Sequence, residues 1–110
     1  MTFLIRTTKG YRRDYDLLRR RGFQMSRLDE AVRILSEEGR LPPAYYDHPL
    51  KGDLEGFREC HIAGDWLLVY MIRDDILVLT LSRTGRHDDI FRRRALSIPS
   101  RISGFQAVIR

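Results

Sequence analysis

The strongest constraint on the fold of this chain is a series of three short apolar segments at residues 57–62, 66–72 and 76–81. Each has the length of a β-strand, and the connections at Ala63-Gly64 and Arg73-Asp74-Asp75 allow only tight turns. The three segments therefore predict an antiparallel meander. The middle segment is apolar at every position, which indicates a central strand covered on both faces.

Two helices are predicted before the meander. Thr7 or Thr8 can cap the first helix, and Gly22 is suited to ending it. Ser26 can cap a second helix that runs to Gly39. Apolar residues recur at helical spacing in both segments, at Tyr11, Tyr15, Leu18, Leu28, Val32 and Leu35. We expect the two helices to pair antiparallel and to cover one face of the sheet.

The remaining segments are a predicted first strand at residues 2–6, a long loop at 41–56, and a short final helix at 88–91 that follows a turn through Gly85. Loops as long as the one at 41–56 usually carry function. Because periodicity is lost after residue 91, we assign residues 1–91 to one α+β domain and residues 92–110 to a basic, loosely ordered extension.

Size and composition are those of a single globular domain. A chain of 110 residues supports one compact domain with its own core. It contains no run of roughly 18 apolar residues and no stretch with the length of a signal peptide at its start, so we expect a cytoplasmic protein without membrane contact. Cys60 is the only cysteine, which excludes an intramolecular disulfide and predicts a small buried strand residue.

Positive charge is concentrated in two segments. Residues 9–21 contain six basic and two acidic side chains, and residues 92–110 contain five arginines and no acidic residue. Such patches attract phosphate backbones or an acidic partner. A solvated helix face followed by a disordered tail is the alternative explanation.

The three histidines, His48, His61 and His87, each lie where a loop or strand is predicted to end. In an antiparallel meander such ends can meet on one rim, near Asp65 and Arg83. Cleavage of RNA by its own 2′-hydroxyl needs a base and an acid that titrate near neutral pH, and histidine can be either. A fixed arginine can stabilise the charge on the phosphate. This chemistry requires no metal or other cofactor.

Each of these residues also has an ordinary structural explanation. His48 can be a loop histidine, Arg83 can solvate a strand end, and Asp65 can shape a turn. Trp66 has the spacing of a core residue. A histidine metal site is not expected, because no pair of histidines has the spacing of a known metal motif.

Five short motifs occur in a specific order within residues 3–91. They are Tyr46-Asp47-His48-Pro49-Leu50-Lys51-Gly52, Phe57-Arg58-Glu59-Cys60-His61, Asp65-Trp66-Leu67-Leu68-Val69-Tyr70, Arg83-Thr84-Gly85-Arg86-His87, and Phe91. In order and spacing they resemble the YafQ branch of the RelE superfamily. This chain departs from that pattern by continuing for 19 residues after Phe91.

The resemblance implies a RelE-like microbial-ribonuclease fold with the order β-α-α-β-β-β-α, in which the helical pair packs behind the sheet. It also implies the toxin of a type II toxin–antitoxin pair, neutralised by a cognate antitoxin protein. Such a toxin enters the ribosomal A site, contacts ribosomal RNA and cleaves mRNA there. It binds operator DNA only through the antitoxin complex.

Site roles follow from the same resemblance. His48 and His87 are the leading general base and acid, in either assignment, with His61 and Asp65 in support. Arg83 would stabilise the transition-state phosphate. Three further residues are candidates for substrate binding: Lys51 for a phosphate, Phe91 for a base, and Trp66.

Two other functions remain open at this point. The first is a catalytically silent RNA- or protein-binding module that acts only within an antitoxin complex. The second is a DNA-binding protein that uses the arginine-rich helix, although that helix also needs its tyrosine face for the core and no helix-turn-helix spacing follows it.

Overall fold

Strand β4 (Trp66–Arg73) lies at the centre of a five-stranded sheet in the computed structural model, which describes residues 2–91. Its neighbours β3 (Arg58–Ala63) and β5 (Val78–Arg86) both pair with it antiparallel, so the predicted meander is confirmed. The edge strand β1 (Leu4–Thr7) runs parallel to β5. A two-residue strand, β2 (His48–Pro49), pairs with β3 at the other edge, within the segment expected to be only loop. The sheet is therefore mixed.

Both faces of β4 are covered, as its uninterrupted apolar sequence predicted. Trp66, Leu68 and Tyr70 point into the larger core beneath the helices. Leu67 and Val69 point to the opposite face, into a smaller apolar cluster. Each of these five side chains is at most 4% exposed.

Two helices pack on the first face, as expected. Helix α1 (Lys9–Arg20) packs against β5, and α2 (Met25–Glu38) packs against β3. Thr8 caps α1, because its hydroxyl accepts a hydrogen bond from the backbone N–H of Tyr11 at 3.0 Å. Gly39 ends α2 in the left-handed conformation, at φ +76°. The predicted inward residues Tyr11, Leu18, Leu28 and Leu35 are buried, and Tyr15 and Val32 are partly buried.

The predicted cap at Ser26 is wrong. Helix α2 begins one residue earlier, at Met25, and its N-terminus has no side-chain cap. Apolar packing determines this start, because Phe23 lies edge-on against Trp66 with ring centroids 5.1 Å apart, and Met25 also packs on the core. Asp29, the expected second half of the cap, accepts a hydrogen bond from the Tyr15 hydroxyl at 3.0 Å instead.

The turn predicted at Gly85 is also wrong. Strand β5 starts at Val78 and continues to Arg86, and Gly85 pairs with Leu67 within the sheet. Pairing with the start of β4 overrides the local turn signal of glycine. Gly85 has φ +153°, and a side chain there would approach Ile90 of the short helix α3 (His87–Phe91) at 3.7 Å. The final helix itself is confirmed, beginning one residue earlier than predicted.

Two expectations concern the rest of the chain. The basic extension at residues 92–110 lies outside the described residues. Within residues 2–91, no helix is both long and apolar enough to span a membrane.

Cys60 is fully buried, as predicted. Burial, with the nearby carboxylates of Asp47 and Glu59 adding to it, raises the pKa of its thiol to about 12. At pH 8 the fraction of Cys60 present as the reactive thiolate is therefore smaller than that of an ordinary cysteine by a factor on the order of a thousand.

We expect iodoacetamide to label Cys60 in the native chain far more slowly than in the urea-unfolded chain, as followed by mass spectrometry. Equal rates in the two states would contradict the buried position, and Cys60→Ser supplies the background.

Candidate active site

Two histidines lie side by side where β2 pairs with β3. His48 stands opposite Glu59 in the strand register, and His61 follows two residues later along β3. The ring centroids of the two histidines are 6.5 Å apart. The Nε2 atom of His48 lies 3.8 Å from a carboxylate oxygen of the buried Glu59, which can serve as counter-ion when the ring is protonated.

Backbone carbonyls orient both rings. His48 donates from Nδ1 to the carbonyl of Tyr46 at 2.9 Å, and His61 donates from Nδ1 to the carbonyl of Gly64 at 3.2 Å. Because a carbonyl can only accept, Nδ1 carries the proton in each ring. Nε2 is therefore the atom on each ring that can take up or release a proton.

The third histidine is joined to this pair through the turn between β3 and β4. His87, at the start of α3, donates its backbone N–H to the carbonyl of Asp65 at 2.9 Å. Asp65 directly follows Gly64, whose carbonyl holds His61. The Asp65 side chain pairs with Arg86 at 3.3 Å. The turn therefore places the segments of His61, Asp65 and His87 on one rim of the sheet, as the meander predicted.

The other substrate-binding candidates differ in accessibility. Phe91 packs one helical turn after His87, with ring centroids 5.0 Å apart, and rests on the smaller apolar cluster. Lys51 is exposed in the loop that follows β2. Trp66, by contrast, is only 4% exposed, and its indole N–H donates to the hydroxyl of Thr84 at 2.9 Å. In this conformation Trp66 cannot stack on a base, so it supports the rim from within the core.

Arg83 is held by a residue that the sequence reasoning missed, Asp14 on α1. Two guanidinium nitrogens, Nε and Nη2, donate to the Asp14 carboxylate, which also accepts the backbone N–H of Thr84 at 3.1 Å. The side chains of this ion pair are only 11% and 15% exposed. The remaining nitrogen, Nη1, is buried and has no hydrogen-bond partner within residues 2–91. Asp14 and Arg83 are 69 positions apart, so no local pattern indicates the pairing.

Asp47 is a second anchor that the sequence reasoning did not identify, although it lies inside the Tyr46–Gly52 motif. Its carboxylate accepts hydrogen bonds from Tyr70 at 2.8 Å and from Arg58 at 3.2 Å. Burial, followed by this contact, raises the pKa of Tyr70, so the phenol stays protonated and continues to donate. Asp47 thereby fixes the backbone immediately before His48 to the centre of the sheet.

The arrangement provides acid–base groups on a rigid support. The segments that carry His48, His61, Asp65 and His87 meet on one rim, and their backbone is held by sheet pairing and by two partly buried carboxylates. Within the described part of the chain, no group of three or more His, Cys, Asp or Glu side chains is arranged to hold a metal ion. Proton transfer is the chemistry that this set of side chains can perform.

Comparisons with known proteins agree with this architecture. A family model for a bacterial toxin of type II toxin–antitoxin systems, YafQ, matches residues 3–92. The mRNA interferase toxin YafQ of Escherichia coli strain K12 is 35% identical over 82 residues, which cover 74% of this chain and 87% of that protein.

Solved structures are also similar. The E. coli DinJ-YafQ toxin–antitoxin complex matches with a TM-score of 0.75 and 33% identity, covering 83% of this chain and 99% of that chain. A metal-bound toxin from Helicobacter pylori matches with a TM-score of 0.73 and 42% identity, covering 83% of this chain and 100% of that chain. The fold implied by the resemblance in sequence is therefore confirmed.

The Asp14–Arg83 pair gives a stability prediction. Asp14→Ala leaves the charge of Arg83 buried without its partner, which costs about 3–5 kcal/mol of unfolding free energy. Asp16→Ala is the matched control, because Asp16 lies on the same helix and pairs with arginines at the exposed surface. We expect a large fall in the urea midpoint for the first variant and a small one for the second. Equal midpoints would show that the pair does not anchor α1.

Proposed function

This chain belongs to the YafQ family of bacterial toxins from type II toxin–antitoxin systems, and on that basis we propose that it is an mRNA interferase, an endoribonuclease. The observation that supports the proposal most directly is the rim on which His48 and His61 stand beside each other and the Asp65 turn meets His87. The E. coli relative is named an mRNA interferase toxin, which agrees with this chemistry.

In the proposed reaction, the 2′-hydroxyl of the RNA attacks the adjacent phosphate. One histidine removes the proton of the 2′-hydroxyl, and a second protonates the leaving 5′-oxygen. His48 and His87 are the leading pair, and either can be the base. The product ends in a 2′,3′-cyclic phosphate or a 3′-phosphate, and no metal takes part.

His61 and Asp65 have supporting roles in this proposal. His61 lies next to His48 and can pass a proton or orient the substrate. Asp65 accepts the backbone N–H of His87, so the position of His87 depends on the turn that contains Asp65. A change in that turn would move the third histidine relative to the other two.

The remaining site residues act on the phosphate and the bases. Arg83 stabilises the charge that develops on the phosphate, and its unused donor is Nη1. Because Nη1 of Arg83 is buried, a phosphate can contact it directly only after the side chains that cover it move. In this proposal the exposed Lys51 makes a second phosphate contact, and Phe91, which packs against His87, contacts an mRNA base.

We further propose that the substrate is mRNA in the ribosomal A site, so that the activity belongs to the cytoplasm. The exposed basic residues of segment 9–21 offer a surface for the phosphates of ribosomal RNA. A cognate antitoxin would neutralise the chain, as the similarity to the toxin of the DinJ-YafQ complex suggests. Contact with operator DNA would occur only through that antitoxin complex.

The catalytic proposal is tested by substituting His87. We expect His87→Ala to lower mRNA cleavage by roughly 10²–10⁴-fold, the usual contribution of a general acid or base, and to abolish growth arrest. Cleavage is measured by primer extension on ribosome-bound mRNA, at equal protein levels. Asp89→Ala is the control, because Asp89 is exposed on the same short helix. A folded native chain that neither cleaves nor arrests growth would instead be the silent binding module.

Ribosome dependence is tested separately with purified chain and one defined mRNA. We expect cleavage when the mRNA is bound to ribosomes and little cleavage of the same mRNA when free, because the ribosome holds the substrate in place. Equal cleavage of both would contradict ribosome dependence while leaving the nuclease intact. A transition-metal chelator that spares magnesium should leave the rate unchanged, and a loss of activity would contradict the metal-free reaction.

A further inference from the structure

A cleft of about 460 Å³ opens beside His61, between the start of α2, the loop before β2, and strand β3. Its volume is within the range of about 300–1,000 Å³ that is typical of small-ligand sites. His61 is the only residue that it shares with the proposed catalytic set. The cleft is lined by Ser26, Arg27, Glu30, Ala44, Tyr45, His61 and Ile62.

Tyr46 stands next to this cleft with an unusual exposure for an aromatic side chain, 70%. Its ring meets that of His61 edge-on, with centroids 5.9 Å apart and an interplanar angle of 76°. Most of the ring surface is therefore open to a ligand that approaches the histidine pair.

The backbone of Tyr46 is held in a conformation that tyrosine disfavours. Its φ of +50° lies in the left-handed region, where a side chain other than glycine costs of order 1 kcal/mol or more. Neighbouring contacts maintain it: the Tyr46 N–H donates to the carbonyl of Pro43 at 3.0 Å, its carbonyl accepts from His48, and Asp47 is anchored to Tyr70. The ring is consequently presented on a fixed support.

Arg27 is the side chain of the cleft lining that can contact a phosphate. Glu30, the one acidic side chain of the lining, pairs with Arg33 at 2.7 Å, and Arg33 also pairs with Glu37 at 2.9 Å, so its charge is shared between two carboxylates. The Nε of Arg27 donates to the side-chain oxygen of Gln24 at 3.2 Å. Because Gln24 is uncharged, this hydrogen bond does not neutralise the positive charge of the guanidinium. An exposed aromatic ring near an arginine side chain is a common pattern for binding single-stranded nucleic acid.

We propose that Tyr46 and this cleft form a subsite for the nucleotide next to the cleaved bond of the RNA. Tyr46 stacks on the base of that nucleotide, and Arg27 contacts its phosphate. The inference rests on the proposed nuclease function and deepens it, because contact between Tyr46 and His61 places the subsite directly beside the proton-transfer groups. Tyr46 then contributes to how efficiently the bound RNA is cut.

Two substitutions separate the ring of Tyr46 from its backbone. Tyr46→Phe keeps the ring, and Tyr46→Asn removes it while retaining a residue that tolerates the left-handed conformation. We expect Tyr46→Phe to stay within about twofold of the native kcat/KM, and Tyr46→Asn to lose roughly 5- to 100-fold, the usual effect of one lost base stack. The thermal unfolding midpoints should be similar, which excludes a folding defect.

The decisive experiment combines these variants with a change in the RNA. Ribosome-bound mRNA carrying an abasic nucleotide on one side or the other of the cleaved bond is compared with intact mRNA. At one of the two positions, the abasic nucleotide should slow cleavage by the native chain as much as Tyr46→Asn slows cleavage of intact mRNA. Tyr46→Asn acting on that abasic mRNA should then show no further loss of rate. Fully additive losses at both positions, or Tyr46→Phe as poor as Tyr46→Asn, would overturn base stacking.

Arg27 is tested in the same assay. Arg27→Gln should raise the KM for cleavage of intact mRNA several-fold. Arg73→Gln should not, because Arg73 lies at the end of β4 that is far from the rim. Equal effects of the two substitutions would overturn the phosphate contact. If the native chain cleaves no ribosome-bound mRNA at all, the proposed function itself fails, and that outcome is distinct from failure of the subsite.

Discussion

The burial of β4 on both faces is the constraint on which the rest of the structure depends. A one-residue slip of this strand would exchange the residues of the two cores, so its register with both neighbours is firmly specified. That register aligns the end of β3, the start of β4 and the end of β5 at one edge. The candidate active site exists because His61 and His87 are attached to these aligned ends.

Partly buried carboxylates attach the outer segments to this central sheet. Asp47 holds the loop before β2, and Asp14 holds α1 against the part of β5 that extends beyond its pairing with β1. Burying a charge is costly, so such pairs contribute more to a defined geometry than to net stability. They give the site the rigid support that acid–base chemistry requires, since small displacements of a proton-transfer group reduce its efficiency.

The rim combines fixed and open elements. Backbone carbonyls orient the imidazole rings of His48 and His61. Side-chain substitutions elsewhere in the loop would therefore leave the ring orientation unchanged. Tyr46, two residues before His48, exposes its ring without contributing to the core. In the proposed function the histidines therefore supply the chemistry, and the neighbouring ring of Tyr46 contacts the substrate.

The sequence by itself determined the local elements: the three meander strands, a cap at Thr7 or Thr8, the Gly39 helix end, and the placement of the histidines at segment ends. These features depend on residues within a few positions of one another. Only the tertiary structure decided that β1 runs parallel to β5, that β5 continues through Gly85, and that Asp14 pairs with Arg83. Those outcomes depend on contacts between residues far apart in the chain, and such contacts leave no signal in the local pattern.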